Sequence, residues 1–282
     1  MRHHKLLNEQ QITEFHRDGF IVLKGFYDLA QDILNIQSAI YNIIGLVISK
    51  YNLSITRQKF SAAHFDSGFQ ELIYANRSYG AEVYDAVKQI PAFIKLLGHP
   101  AHEKLFLQLR SEAIPAVAAG GFGIRIDNPN EDIFRANWHQ EYPAQLRSID
   151  GLVYWSPLVP ITKNMGPVNI CPGSHTDGPL PVYTKDPNNP EKKGAYSLRL
   201  ANEEELLAKH SQTAPLINPG DLIIMDFLVL HASGLNRSKR SRWSMQFRYF
   251  NFANPIGLSY GWQGSYAENK NFCNIHPELC IN

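Results

Sequence analysis

The sequence has few cysteines, almost no net charge and no long apolar segment, and each shortage excludes a class of protein. Three cysteines in 282 residues, an odd number, do not build the disulfide framework of a small secreted scaffold. Cys273 and Cys280, seven residues apart near the C-terminus, could form a disulfide, but we expect two separate thiols. The 27 basic and 26 acidic residues leave a formal net charge of +1, which argues against dedicated nucleic-acid binding.

The most apolar stretch, about residues 39–48, is interrupted by Asn42 and Gly45. It is shorter than the roughly 20 residues that a membrane-spanning helix needs. Residues 1–5 are polar and basic and lead into another polar segment rather than into an apolar signal sequence. We therefore expect a soluble, cytoplasmic protein that binds neither membrane nor nucleic acid. The sequence does not indicate its oligomeric state.

The first part of the chain reads as helical. Asn8 can cap a helix over residues 11–18 that ends at Gly19, and a short apolar strand follows at 20–23. Further helical patterns cover residues 29–50 and 80–97. Residues 52–79 are irregular, and residues 104–110 fit a helix or a strand equally well.

From residue 121 onward the pattern changes to short β-type runs separated by glycine, proline and asparagine. These predicted strands are 122–127, 135–141, 151–158, 168–171, 222–227, 229–233 and 242–250. Such a series favours a sandwich or a barrel over alternating strands and helices.

We predict one domain over residues 1–282, with three parts. A helical layer covers about residues 1–110, a β-core about 120–252, and an aromatic tail 253–282. Within the core, residues 177–212 form a polar insertion with one acidic helix near 202–210.

Two of the eleven histidines stand out by their neighbours. His139 and Glu141 lie two apart in the predicted strand 135–141, so their side chains project from the same face. An imidazole beside a carboxylate suits a divalent transition metal, although most such pairs are surface ion pairs. His231 ends an apolar run, where a lone histidine is most often a core residue. Together the three residues match the two-histidine, one-carboxylate triad of non-haem Fe(II) oxygenases.

The other histidines have simpler interpretations. His102 and His276 lie in polar segments that we expect to be exposed. His64 has no neighbour that indicates chemistry, and His175 follows Pro172-Gly173-Ser174, where it is expected to make a hydrogen bond in a turn near the rim of the site.

A strand with a polar face follows the basic turn 237–241. Arg242 and every second residue after it share one face of this strand, while Trp243, Met245 and Phe247 share the other. Arg242 lies at the strand's entry, where its guanidinium can hold a carboxylate through two hydrogen bonds, as a lysine could not. Arg125, on a predicted neighbouring strand, is open between a surface ion pair and a substrate contact.

In order and spacing, these motifs resemble the phytanoyl-CoA dioxygenase (PhyH-like) family of Fe(II)- and 2-oxoglutarate-dependent oxygenases. The resemblance runs from Asp18-Gly19-Phe20 to about Phe250. Besides the site residues it includes Trp138, Trp155, the Met165-Gly166-Pro167 turn, Pro172-Gly173-Ser174-His175 and Pro219-Gly220-Asp221.

The resemblance implies a mainly β fold with flanking helices, a double-stranded β-helix or distorted, cupin-like jelly roll. It implies that His139, Glu141 and His231 bind Fe(II), that 2-oxoglutarate chelates this iron, and that O2 is the other co-substrate. The expected products are a hydroxylated small molecule, succinate and CO2.

The resemblance also implies residues that hold the co-substrate. Arg242, eleven residues after His231, and Ser233, two residues after it, would bind the far carboxylate of 2-oxoglutarate. Trp155 and Tyr154 alternate on their predicted strand, so one of them faces the cavity and is a candidate contact of the co-substrate.

Glu141 departs from the family pattern, which usually has aspartate at this position. Its extra methylene leaves three alternatives: full ligation of the metal, a weakened site, or a catalytically inactive relative. A carboxylate at this position argues for oxygenation rather than halogenation, because halogenating relatives have a small residue there.

Two rival functions remain open at this point. One is a non-catalytic jelly-roll binding protein, and the other is a cupin-type metal-dependent isomerase or hydrolase. Substrate choice is expected to depend on residues 52–79, the insertion 177–212 and the tail residues Tyr260, Trp262 and Tyr266. No cluster of basic residues marks a site for the phosphates of an acyl-CoA.

Overall fold

The computed structural model describes residues 6–188, 198–265 and 271–281. The helices are α1 (Glu9–Asp18), α2 (Leu34–Lys50), α3 (Phe69–Ala75), α4 (Arg77–Val87), α5 (Pro91–Leu97), α6 (Pro100–Leu109), α7 (Tyr142–Gln145), α8 (Glu203–Lys209), α9 (Pro255–Tyr260) and α10 (Phe272–Ile275). The strands are β1 (Phe20–Leu23), β2 (Pro115–Val117), β3 (Gly123–Asp127), β4 (Leu152–Pro157), β5 (Val168–Ile170), β6 (Val182–Tyr183), β7 (Arg199–Leu200), β8 (Leu222–Asp226), β9 (His231–Ser233), β10 (Arg242–Asn251) and β11 (Cys280–Ile281).

The central element is a six-stranded sheet in the order β1-β8-β4-β10-β2, with β3 also paired to β10. All of its strand pairs are antiparallel. A second, two-stranded sheet pairs β5 with β9, and a third contains β11, β6 and β7. The expected β-core with flanking helices is therefore confirmed, while the jelly-roll topology stays a prediction.

Strand β10 has the predicted division into two faces. Its aromatic side chains pack against the helices: the Trp243 ring lies 4.8 Å from that of Phe69, and the Phe247 ring lies 5.4 Å from that of Phe93. The opposite face carries Gln246 and contributes to a cavity. Because the helices pack against only one face of the sheet, through its apolar side chains, the other face is available for polar groups.

The N-terminal helix has the predicted cap and the predicted end, but it begins at Glu9 rather than at residue 11. The Asn8 side chain accepts a hydrogen bond from the Gln11 amide, and the Gln11 side chain accepts one from the Asn8 amide. Gly19 ends the helix with φ 75°, a conformation that glycine adopts without strain.

The predicted helix 29–50 is present as a π-helical turn, Leu29–Ile33, continued by α2. Among the described residues, Leu29–Lys50 is one helical segment whose 22 residues are long and apolar enough to cross a membrane by length and composition. The expectation that Asn42 and Gly45 leave the apolar stretch too short for a membrane span was therefore wrong by length and composition. Since 39 % of its most apolar window is buried inside the protein, it equally fits a core helix and is weak evidence for a membrane span.

Several predicted boundaries were wrong for local reasons. The helix predicted over 80–97 is two helices, α4 and α5, because Pro91 begins α5 and Ile90 before it is extended. The undecided segment 104–110 lies mostly in helix α6, and the irregular segment 52–79 contains α3. The predicted strand 135–141 does not form: His139 makes one isolated bridge to His231, and Glu141 has helical φ and ψ of −72° and −32°.

The prediction of separate thiols was wrong, because Cys273 and Cys280 form a disulfide. Helix α10 and the 3₁₀ turn Pro277–Leu279 bring their Cα atoms to 5.8 Å, a separation that a disulfide can bridge. Disulfides are typical of oxidising compartments, so the cysteines do not support the cytoplasmic location, which stays a prediction.

Two histidines that were expected to be exposed are not. His102 is completely buried, with its Nε2 2.7 Å from the Tyr27 hydroxyl, and burial lowers its pKa to about 3. His276 is half-buried, with its Nε2 3.0 Å from the Tyr142 hydroxyl. Both imidazoles pack against aromatic rings, which the polar sequence around them conceals.

Candidate active site

Three predicted site residues meet on the polar side of the sheet. One ligand atom each from His139, Glu141 and His231 lies within 4.8 Å of the others. The two imidazole rings are 4.2 Å apart, and His231 Nε2 lies 3.9 Å from Glu141 Oε2. Among residues 6–188, 198–265 and 271–281, these three form the one group of histidine, cysteine and acidic side chains that are close enough together to hold a metal ion.

The local backbone brings these side chains together by a route that differs from the predicted strand. The amide of each histidine donates a hydrogen bond to the carbonyl of the other, at 3.0 and 3.1 Å. The chain then turns into α7, and the amides of Glu141 and Tyr142 both donate to the Phe227 carbonyl. This turn directs the Glu141 carboxylate toward the imidazoles, so the shared face arises from a helical start rather than from strand alternation.

Hydrogen bonds to the backbone define which nitrogen of each histidine can bind a metal. His139 Nδ1 lies 2.7 Å from the Asn137 carbonyl oxygen, and His231 Nδ1 lies 3.0 Å from that of Val229. A carbonyl oxygen can only accept, so each Nδ1 carries the proton. Each Nε2 therefore keeps a free lone pair, as metal-binding histidines require.

Burial and charge give the three groups the protonation states of a metal site. Burial lowers the pKa of His231 to about 3 and also lowers the pKa of His139, so both rings are neutral at pH 7. Burial alone would raise the pKa of Glu141, but the positive charge and hydrogen bonds of Arg248 outweigh it and bring the pKa to about 2. Two neutral imidazoles and one carboxylate fit a divalent transition metal.

Arg248 is a contact of this cluster that the sequence reasoning did not assign. Its Nε donates to Glu141 Oε1 at 3.0 Å, and its Nη2 donates to Glu141 Oε2 at 3.2 Å. Gln145, on α7, donates a further hydrogen bond to Glu141 Oε1 at 3.1 Å. The alternation of β10 was the available signal, since it places Arg248 on the same face as Arg242.

A second arginine–carboxylate cluster lies at the other end of the same strand face. Arg242 is 1 % exposed, and its Nη2 donates to Asp127 Oδ2 at 2.8 Å. Arg125 donates to both oxygens of the same carboxylate, at 2.8 and 3.0 Å. Burial alone would raise the pKa of Asp127, but the two guanidinium groups lower it, so the carboxylate is charged. The Asp127 carboxylate therefore accepts hydrogen bonds from two guanidinium groups.

Two buried polar atoms near Arg242 have no protein partner. Across the described parts of the chain, Arg242 Nη1 and Ser244 Oγ have no hydrogen-bond partner. Ser233, which is buried on β9, lies on the same face as His231 because the two are two residues apart. Unpartnered buried donors are rare, and these fit a bound anion.

Strand β4 assigns its two aromatic residues to different faces. The Tyr154 hydroxyl donates to the His102 carbonyl at 2.9 Å, so its ring packs on the helical side. Trp155 is paired in register with Gln246, which lines the cavity, so Trp155 lies on the polar side of the sheet. Of the two candidates, Trp155 is thus the residue on the side of the site.

A cavity of about 530 Å³ opens onto the metal-ligand cluster. Its polar lining includes His139, Glu141, Arg125, Gln246 and Arg248. Its lining does not include His231, Arg242, Ser233 or Trp155, all of which are buried.

Parts of the predicted substrate-facing segments reach this cavity. The insertion contributes Val182, Leu198 and Leu200, whereas residues 52–79 do not appear in the lining and Tyr84 of α4 does. Trp262 lines a separate, smaller cavity beside Arg147, and Tyr266 lies outside the described residues.

Two other histidines lie elsewhere. His175 Nε2 donates to the His16 carbonyl at 3.1 Å, as expected for a turn residue, and His64 is exposed. The lining of the main cavity includes neither of them.

Comparisons with known proteins agree with this geometry. The model of the phytanoyl-CoA dioxygenase (PhyH) family matches residues 15–244. A phytanoyl-CoA dioxygenase domain-containing protein 1 homolog from Dictyostelium discoideum is 23 % identical over 272 residues, which cover 89 % of this chain and 93 % of the relative.

Solved structures of oxygenases share the fold. EctD from S. alaskensis with 2-oxoglutarate and 5-hydroxyectoine has a TM-score of 0.58 at 15 % identity, covering 96 % of this chain and 86 % of EctD. The epimerase SnoN in complex with Fe3+, alpha ketoglutarate and nogalamycin RO has a TM-score of 0.55 at 15 % identity, covering 89 % and 88 % of the two chains. The carbocyclase SnoK from nogalamycin biosynthesis has a TM-score of 0.55 at 13 % identity, covering 87 % and 85 %.

Proposed function

Because the chain belongs to the phytanoyl-CoA dioxygenase (PhyH) family, we propose that it is an Fe(II)- and 2-oxoglutarate-dependent oxygenase that hydroxylates a C–H bond of a small molecule. The observation that carries the proposal is the cluster of His139, Glu141 and His231, in which one ligand atom from each residue lies within 4.8 Å of the others. Fe(II) held there together with 2-oxoglutarate supplies the activation of O2 that such a hydroxylation needs, with succinate and CO2 as the other products.

The chain's own residues prepare this site before any ligand arrives. The carbonyls of Asn137 and Val229 hold the two imidazoles in the ligating tautomer. Because Glu141 is already ionised and both rings are already neutral near pH 7, metal binding does not have to displace protons from the ligands.

We assign the far carboxylate of 2-oxoglutarate to Arg242, with Ser233 as a further donor. Two observations support this assignment: the Arg242 side chain is buried, and its Nη1 has no hydrogen-bond partner among the described residues. Burial of Arg242 excludes water, which strengthens its hydrogen bonds to a carboxylate. Trp155, on the same side of the sheet, is assigned as an apolar contact of the co-substrate.

The substrate is assigned to the cavity beyond the metal ligands. Its volume of about 530 Å³ suits a metabolite rather than a macromolecule. Hydroxylation is the simplest outcome, and it is proposed rather than implied by the fold, since structures of similar fold include an epimerase and a carbocyclase.

A non-catalytic binding protein of the same fold is the second candidate, and one observation favours it. The carboxylate proposed for the metal and the guanidinium proposed for 2-oxoglutarate already have protein partners: Glu141 pairs with Arg248, and Arg242 pairs with Asp127. In that case the cavity would bind a small molecule without a metal.

One experiment separates the two candidates. The purified protein is given Fe(II), 2-oxoglutarate and O2, and succinate or CO2 release is measured beside the same assay on His139→Ala. An oxygenase releases succinate, and the variant loses this activity by at least about 100-fold, since one of three metal ligands is gone. Equal succinate release by both proteins would contradict the assignment. A folded wild type that neither releases succinate nor binds a metal would favour the binding protein.

A further inference from the structure

The Glu141 carboxylate presents its two oxygens to different surroundings. Oε1 accepts hydrogen bonds from Arg248 Nε at 3.0 Å and from Gln145 Nε2 at 3.1 Å. Oε2 accepts one hydrogen bond, from Arg248 Nη2 at 3.2 Å, and lies 3.9 Å from His231 Nε2. One oxygen is thus held by the protein, and the other is directed toward the imidazoles.

We propose that Arg248 positions Glu141 so that this glutamate binds the metal through Oε2 alone. The inference rests on the proposed function, since it requires a metal ion at the cluster. Arg248 is a positioning residue here, because it acts through Glu141 and not on the reacting atoms.

The chemistry of the two side chains supports this role. A glutamate has one more rotatable bond than an aspartate and loses more conformational freedom when it is fixed. The planar guanidinium of Arg248 matches both carboxylate oxygens at once, which fixes the orientation of the carboxylate as well as its position. A glutamate restrained in this way is oriented before the metal arrives.

The partners of Glu141 are themselves held in place. Gln145 lies one helical turn after Glu141 on α7, and its Oε1 accepts a hydrogen bond from Arg147 at 2.8 Å. Arg248 lies in the middle of β10, paired with Val153 of β4. The Arg248 and Glu141 side chains are 16 % and 5 % exposed, so water competes little for their hydrogen bonds.

Charge and geometry predict opposite effects of Arg248 on metal binding. A positive charge next to the cluster repels a cation, so removing it would strengthen metal binding if charge were its only contribution. A positioning contact has the reverse effect, because its loss frees the glutamate. Arg248→Lys separates the two effects, since lysine keeps the charge and loses the two-pronged geometry.

The test measures the affinity of the purified, metal-free protein for Co(II), without oxygen and without 2-oxoglutarate, by calorimetry and by the visible spectrum of bound Co(II). We expect Arg248→Lys to weaken binding by about 10- to 100-fold, the usual cost of losing a contact that orients a metal ligand. The matched control is Arg240→Lys, since Arg240 makes the same two-pronged contact with Asp66 outside the cluster. It should bind Co(II) within about 2-fold of the wild type.

A second variant covers the case in which Arg248→Lys does not fold. Gln145→Leu removes the other donor to Glu141 Oε1 without a change in charge, and we expect a loss of several-fold in Co(II) affinity. In a Glu141→Asp background, where we expect the shorter side chain to lose its contact with Arg248, the effect of Arg248→Lys should disappear.

Unchanged Co(II) affinity in Arg248→Lys or Gln145→Leu would overturn the inference, as would tighter binding in Arg248→Gln. In each of these outcomes, the proposed function would still hold as long as the wild type binds Co(II). Failure of the folded wild type to bind Co(II) would instead contradict the proposed function, and the inference with it.

Discussion

Two arginine–carboxylate pairs lie on the same face of β10, six residues apart, and they have opposite roles in our account. At one end, Glu141 is the functional group and Arg248 orients it. At the other end, Arg242 is the functional group and Asp127 orients it. The same kind of ion pair therefore supports cation binding in one place and anion binding in the other.

The neighbours of each pair account for the difference. Beside Glu141, two neutral imidazoles add lone pairs without adding charge, so the cluster attracts a metal. Beside Arg242, a second guanidinium shares the Asp127 carboxylate, and Arg242 Nη1 and Ser244 Oγ have no hydrogen-bond partner among the described residues. An ion pair alone does not indicate what a site binds, and the groups around it must be counted.

The largest expected effect comes from removing the carboxylate at the anion end. Asp127→Asn should lower the free energy of unfolding by about 3 kcal/mol, because it leaves the buried Arg242 without its negative partner. Urea denaturation measures this change. Saturating 2-oxoglutarate should restore more stability to the variant than to the wild type, since it supplies a carboxylate. An unchanged unfolding curve would contradict the role given to Asp127.

Removing the arginine at the anion end should affect one ligand and not the other. We expect Arg242→Met to weaken 2-oxoglutarate binding by about 10- to 100-fold, since charged hydrogen bonds contribute about 1.5–3 kcal/mol. Co(II) affinity in the same variant should stay within about 2-fold of the wild type, because Arg242 does not contact the metal ligands. Equal losses of both affinities would show that the two ends are not independent.

The smallest effect is expected at Ser233. Ser233→Ala removes one neutral donor from the proposed carboxylate site, which should weaken 2-oxoglutarate binding by about 2- to 10-fold. The measurement is the same titration, with Ser238→Ala as a control, because Ser238 lies in the turn before β10 and makes hydrogen bonds to Asn236 and Arg240. A loss as large as that of Arg242→Met would overturn the ranking of the two donors.

Sequence patterns predicted which three side chains lie together better than they predicted the backbone that places them. His139, Glu141 and His231 were correctly brought together, but through a strand that does not exist. Strand alternation and the observed turn into helix α7 both bring the side chains of His139 and Glu141 together. What distinguishes the turn from the strand is a pair of hydrogen bonds, from the amides of Glu141 and Tyr142 to the Phe227 carbonyl. These partners are more than 80 residues apart in the sequence, so no local pattern indicates the contact.

Long-range partners also explain what sequence reasoning missed. Arg248 could be placed on the correct face of β10, but nothing near it in the sequence indicates Glu141 as its partner. The Cys273–Cys280 disulfide is a local contact instead: it depends on helix α10 and the 3₁₀ turn Pro277–Leu279, which composition does not reveal. The roles of Arg242, Ser233 and Trp155, and the interpretation of residues 1–282 as one domain, stay predictions.

The central claim is that one end of this face binds iron through Glu141 while the other binds the co-substrate through Arg242. A crystal structure after an anaerobic soak with Fe(II) and 2-oxoglutarate tests both ends at once. The account predicts iron on His139, Glu141 Oε2 and His231, Arg248 still on Oε1, and a 2-oxoglutarate carboxylate on Arg242. Iron bound without Glu141, or 2-oxoglutarate bound away from Arg242, would contradict it.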